Sequence, residues 1–113
     1  MTREELMEIF REAAGTVDVP LAPKWEGGVI QIIPGKRELQ AKELPIDALF
    51  HKVVMIRDRL RTLEQRLNAH PKLSDAEKVE LQQYITRIYG SLTSFNVLFR
   101  ERGDQFIGAK GED

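Results

Sequence analysis

The chain has 113 residues, with 17 Lys and Arg against 18 Asp and Glu, for a formal net charge of -1 at pH 7. With 42% hydrophobic and 31% charged residues, it has the composition of a folded chain and the length for one core, so a single domain over residues 1–113 is expected. The charge balance argues against binding driven mainly by phosphate attraction. The absence of cysteine removes disulfides, thiolate catalysis and cysteine-held metals.

The opening Met1-Thr2-Arg3-Glu4-Glu5-Leu6 lacks the basic region and apolar core of a secretory signal. No run approaches the roughly 20 apolar residues of a membrane-spanning helix. A soluble, cytoplasmic protein without membrane insertion is the expectation.

The first element is an amphipathic helix within residues 1–14, starting at Arg3 and ending at Ala14. Thr2 caps it and Glu5 completes a capping box. Leu6, Ile9, Phe10 and Ala13 share one face, which needs a surface to dock on. Gly15 ends the pattern, and Pro20, Pro23, Gly27 and Gly28 mark residues 15–27 as a linker. Within it, Trp25 is a large amphipathic anchor, suited to clasp the linker onto the core or to enter a partner's pocket.

Val29-Ile30-Gln31-Ile32-Ile33 is rich in residues that favour strands, and Pro34-Gly35 stops it. Leu39 and Ala41 continue a weaker alternation. The pattern predicts a β-hairpin within residues 28–43, with strands over 28–33 and 37–43. Two strands alone are marginal, so they should pack on helices or extend a sheet across a dimer.

The strongest signal covers residues 46–101, a helical hairpin. Ile46, Leu49, Val53, Ile56, Leu60, Leu63 and Leu67 recur at alternating steps of three and four, a coiled-coil-like seam broadened by Phe50 and Val54. The spacing predicts a helix over 46–69 with Pro45 at its start. His70-Pro71 breaks it, and Ser74 with Glu77 forms a second capping box. Leu81, Ile85, Ile88, Leu92, Phe95 and Phe99 then repeat the seam, predicting a helix from 74 to Phe99 or Glu101, flanked by Tyr84, Tyr89 and Leu98. The short break implies an antiparallel pair. Gly90 inside this helix calls for a packing explanation, such as the close approach of a neighbour. Residues 102–113 read as a flexible tail in which Phe106 and Ile107 can fold back onto the body.

The fold class is therefore predominantly α with a small β-hairpin. Two helices of roughly 35–40 Å offer more apolar surface than their mutual contact buries, so a dimeric four-helix bundle is expected, and with it a homodimer.

No local pattern meets the requirements of catalysis. His51 and His70 have no H-E-x-x-H partner, so no metal site is expected. Ser74 and Glu77 are explained by capping, and Glu80 beside them makes no acid–base pair without a cleft. Gly27-Gly28 and Pro34-Gly35-Lys36 match neither a phosphate loop nor a dinucleotide fingerprint. No cofactor is expected.

The candidate partner-binding residues are Trp25, the arginines of helix 46–69 and a second cluster of Tyr84, Arg87 and Tyr89. Lys52, Arg57, Arg59, Arg61 and Arg66 make that helix basic, with Asp58 and Glu64 interrupting. Arg57 and Arg61, four residues apart, can contact one phosphate or acidic group jointly, and Arg59 and Arg66 recur on one face. Tyrosine and arginine add contact area with directional hydrogen bonds. The combination of a strong scaffold pattern with no catalytic constellation points to a nonenzymatic adaptor or regulatory scaffold acting on a protein partner. The alternatives are a nucleic-acid-associated regulator using the basic face of helix 46–69 and a noncatalytic subunit of an enzyme assembly.

Overall fold

The computed structural model describes Thr2, Arg3 and residues 19–108. The helix expected over residues 3–14 lies, except for Arg3, outside them, as do residues 109–113. The described chain is mostly helical, with a two-stranded antiparallel sheet and two long helices.

Strands β1 (Val29–Ile32) and β2 (Lys42–Pro45) pair Val29 with Pro45, Ile30 with Leu44, Gln31 with Glu43 and Ile32 with Lys42. The second strand lies further along the chain than the expected 37–43. This register puts Ile30 and Leu44 on one face, where Ile30 packs against the core. Leu39, whose alternation suggested the earlier position, is instead 57% exposed.

The strand runs directly into helix α1 (Ile46–Asn68), with Pro45 as both last strand residue and N-cap. Pro45 offers no side-chain cap, so the helix start borrows from the linker. Gly28 O accepts from Ile46 N at 2.9 Å, and Asp47 Oδ2 accepts from Gly27 N at 3.2 Å. Gly27 takes a φ of 72°, a conformation that penalises any side chain. A Cβ on Gly28 would run into Ile46.

After the break at residues 69–74, helix α2 (Asp75–Ser91) begins with a complete capping box. Ser74 Oγ accepts from Glu77 N at 3.1 Å and Glu77 Oε1 accepts from Ser74 N at 2.9 Å. The helix stops at Ser91 rather than reaching Phe99 or Glu101, and a 3-10 segment (Thr93–Leu98) comes next. Thr93 Oγ1 donates to Gly90 O at 2.8 Å, so a side chain occupies a carbonyl at the helix end. Thr, Ser and Asn here favour such local bonds over continued helix.

The segment expected as a tail is built into the fold as far as residue 108. Arg102–Asp104 forms a 3-10 turn, and Asn96 clamps the chain beyond it. Asn96 Oδ1 accepts from Phe106 N at 2.7 Å and its Nδ2 donates to Phe106 O at 2.9 Å. Phe106 is thereby buried. Its ring meets Phe99 edge-on at 5.7 Å, and Phe99 meets Phe50 at 5.2 Å, a favourable edge-to-face geometry. Val53, Val54, Ile85 and Leu98 complete the centre of the core with this row.

Residues 20–22 close the other side, with Ala22 N donating to Leu98 O at 2.8 Å and Arg100 N to Pro20 O at 3.1 Å. Gly90 has its packing explanation in the C-terminal segment: Gly108 lies against it so closely that a Cβ on Gly108 would overlap the Gly90 backbone.

Gly108→Ala has no flexible neighbour to displace and should cost about 1–3 kcal/mol, with faster hydrogen exchange at the Phe106 amide. Ser74→Ala should cost about 1 kcal/mol in urea unfolding. The Ser74 backbone and hydroxyl bonds hold the Glu77 carboxyl below its ordinary value near 4.5. The unfolded chain therefore takes up the proton first, so the Glu77 contribution is full above that ordinary value and is lost as pH falls through the lower folded one. The stability gap between the native chain and Glu77→Gln should shrink across that acid window.

Candidate interaction surface and the cleft behind it

The distal half of the hairpin is held by polar groups. Along α1 the buried face runs through Ile46, Phe50, Val53, Val54 and then Arg57, and two turns further the inward position belongs to Glu64. Its Oε2 accepts from Gln82 Nε2 at 2.5 Å and its Oε1 from the Tyr89 hydroxyl at 3.3 Å. Asn68 Nδ2 donates to Gln82 Oε1 at 3.1 Å. The leucine-rich seam is thus split over this stretch: Leu60 and Leu67 pack against the core, while Ile56 and Leu63 turn outward.

The apolar residues displaced from it lie on the outside. Ile56 and Leu63 are 43% and 50% exposed, and on α2 Leu81 and Ile88 are 39% and 43% exposed; Leu60 and Leu67 are half-buried between them. At 100° per residue, each stripe sits about a quarter-turn from its helix's inward face, in the same rotational sense. For antiparallel neighbours that sense carries both stripes to the same broad side of the hairpin. A two-helix apolar face results.

Its borders are charged. Exposed Lys52, Arg59 and Arg66 repeat every seven residues along the outer edge of the α1 stripe. Exposed Glu77, Glu80 and Arg87 border the α2 stripe, with Tyr84, 57% exposed, between Glu80 and Arg87.

A cleft of about 230 Å³ opens on the other broad side, lined by Arg57, Arg61, Glu64, Thr86 and Tyr89, with residues 105–107 along one edge. Arg57 is buried there: its Nη1 pairs with Asp58 at 2.6 Å and its Nη2 with Asp104 at 3.5 Å. Arg61 is half-buried. Both Glu64 oxygens are already hydrogen-bonded, so that carboxylate is a structural acceptor rather than a poised base.

The residues singled out from the sequence therefore part company. Trp25 clasps the linker, its indole N–H donating to Val97 O at 2.9 Å with Lys24 over the ring. Arg57, Arg61 and Tyr89 converge on the cleft, and Arg57 and Tyr89 are buried. Tyr84 and Arg87 stay together outside, the guanidinium 6.0 Å from the ring, and Tyr89 is not part of their cluster. Arg59 and Arg66 face solvent. Sequence reasoning missed Thr86 and Gln105 as cleft residues; nothing in their local pattern marks them, since the cleft exists only once residues 105–107 fold back.

Among the described residues no group of three or more His, Asp or Glu is arranged to hold a metal ion, and no helix is long and apolar enough to cross a membrane. Residues 15–105 match the family described as "Domain of unknown function (DUF8685)", and the chain belongs to that family. No curated protein and no solved structure matches it.

Burial pushes the Tyr89 phenol above its ordinary value of 10, and the neighbouring Glu64 carboxylate adds to the rise. The folded protein keeps this proton after the unfolded chain has released it. The resulting stability is full below pH 10 and is lost as pH rises through the folded value. Glu64→Gln should move the Tyr89 titration back toward 10, measured by ultraviolet difference absorbance in a Tyr84→Phe background.

Proposed function

We propose that this protein is a nonenzymatic scaffold whose helical hairpin pairs with a second copy as a four-helix bundle, presenting a composite surface to a protein partner. The observation that carries the proposal is the exposed two-helix apolar face of Ile56, Leu63, Leu81 and Ile88. An apolar face shared by two helices is the kind of surface that association removes from water.

Border charges select the arrangement. A two-fold axis parallel to the helices stacks α1 of one copy over α2 of the other. The Asn68–Gln82 and Glu64–Gln82 bonds fix the levels within each hairpin, so Arg66 then lies at the level of the partner's Tyr84, about one turn from the partner's Glu80. The perpendicular two-fold axis would set the basic edge of α1 against its own copy, which like-charge repulsion disfavours. In this reading Arg66, Tyr84 and Glu80 secure the pairing, and the ribbon remains outside it.

Sedimentation over a concentration series should show a monomer–dimer equilibrium. Leu63→Glu with Ile88→Glu should leave a monomer with unchanged helix content by circular dichroism. Arg66→Glu and Glu80→Arg should each weaken the dimer several-fold, and combining them should restore it. A chain that stays monomeric at high concentration, or a double apolar variant that still dimerises, sinks the proposal.

A further inference from the structure

We propose that the open edge of β1 takes up an extended segment of the protein partner as a third strand, antiparallel to β1. The proposal deepens the scaffold reading and rests on it for the partner's being a protein. It does not rest on the pairing of copies, which leaves the ribbon outside.

The ladder fixes which backbone groups face outward. Ile46 N donates to Gly28 O at 2.9 Å, so Gly28 and Ile46 form a hydrogen-bonded pair at the head of the register. Along an antiparallel ladder such pairs alternate with non-bonded ones. Ile30 with Leu44 and Ile32 with Lys42 are therefore bonded pairs, and Val29 with Pro45 and Gln31 with Glu43 are not. Two further observations agree. Pro45 has no N–H to give, which suits a position turned away from β1. The side chains of Gln31 and Glu43 come within 3.3 Å, as the closer spacing of a non-bonded pair allows. Val29 and Gln31 thus turn their N–H and C=O groups to the open side of the two-stranded sheet, where they meet no backbone partner among the described residues. Ile33, biased to an extended backbone by Pro34, continues the row.

The two edges of the ribbon differ in how they are guarded. Charges and proline on an edge strand discourage further pairing. β2 carries Pro45 and exposed Lys42 and Glu43. From Val29 to Ile33 there is neither charge nor proline, and Val29, Ile32 and Ile33 are 53%, 56% and 70% exposed. An unguarded edge with apolar side chains on both faces is a template for another strand.

The same side chains define the occupant. A strand centred on Gln31 sets its outer residues beside Val29 and Ile33, where β-branched apolar groups fit. Its central residue faces Gln31, whose Nε2 donates to Glu43 and whose amide oxygen is left to accept, so a hydroxyl or amide donor belongs there. A charged residue at either outer position would give up water and meet no counter-charge. Pro34 ends the edge on one side and Gly28, bonded to Ile46 and Trp25, on the other, so the match runs over residues 29–33. Antiparallel pairing is the more stable arrangement per residue.

The test uses the full chain and an acetylated, amidated peptide Lys-Val-Thr-Thr-Thr-Val-Lys, followed by amide hydrogen exchange and backbone resonances. In the free chain the Ile30 and Ile32 amides should exchange slowly and those of Val29 and Gln31 fast. The peptide should give saturable shifts at Val29 and Gln31 and slow their exchange. N-methylation at its valines and central threonine, whose N–H groups face β1, should weaken binding about tenfold or more. N-methylation at the other threonines should leave it unchanged. Gln31→Pro should weaken binding to a similar degree while Ile30 and Ile32 stay protected, and Ile33→Glu should weaken it several-fold. Leu63→Glu with Ile88→Glu should bind the peptide as the native chain does, so loss of pairing between copies and loss of edge binding are read separately. The proposal is overturned if the peptide gives no saturable shift at Val29 and Gln31, if the two N-methylated peptides bind alike, or if Gln31→Pro binds as tightly as the native chain. It is also overturned if β1 edges pair with each other, seen as self-association of the double apolar variant that Gln31→Pro abolishes.

Discussion

The carboxylate of Glu64, held between Gln82 and Tyr89, is the contact on which the rest of the hairpin depends. Placing a charged group in the inward position of α1 makes the distal seam polar. Both oxygens must be satisfied there, because a half-buried carboxylate without donors would cost more than the contact returns. Gln82 and Tyr89 do this from a single face of α2. The rotation that brings them inward is the same rotation that turns Leu81 and Ile88 outward, just as Glu64 turns Leu63 outward on α1.

The proximal half is organised on the opposite principle. There the helices meet through Phe50, Val53, Val54 and Ile85, with Phe99 and Phe106 supplied by the chain after α2. The row of rings needs residues from three separate stretches, which the 3-10 segment and the Asn96 clamp deliver. Arg57 sits at the changeover from apolar to polar packing, and its ion pair with Asp104 links the returning segment to α1. One end of the hairpin is therefore a packed core and the other a hydrogen-bonded splint.

Much of the architecture is legible from local pattern. The start and end of α1, the Pro71 break and the Ser74–Glu77 cap come from periodicity and capping chemistry, which act over a few residues. Three features escape that reading for a common reason. The end of α2 at Ser91 depends on the Thr93 hydroxyl outcompeting a strong heptad pattern. The position of β2 depends on matching Leu44 to Ile30 over the core, which alternation around Leu39 hides. The cleft depends on residues 105–107 folding back along α2, where Gly108 lies against Gly90. The seam shows the same limit: its spacing identifies apolar positions without saying that Leu60 and Leu67 would pack on the core while Ile56 and Leu63 turn outward.

The join between β2 and α1 has a mechanical side. Pro45 closes the strand and opens the helix, with Gly28 and Asp47 bonding across the corner, so no compliant residue separates ribbon from rod. Any torque applied at the ribbon is passed to a 23-residue helix without slack, as a crank passes motion to its shaft. A load on one end of the protein is thereby felt at the other as a change of helix pitch or tilt.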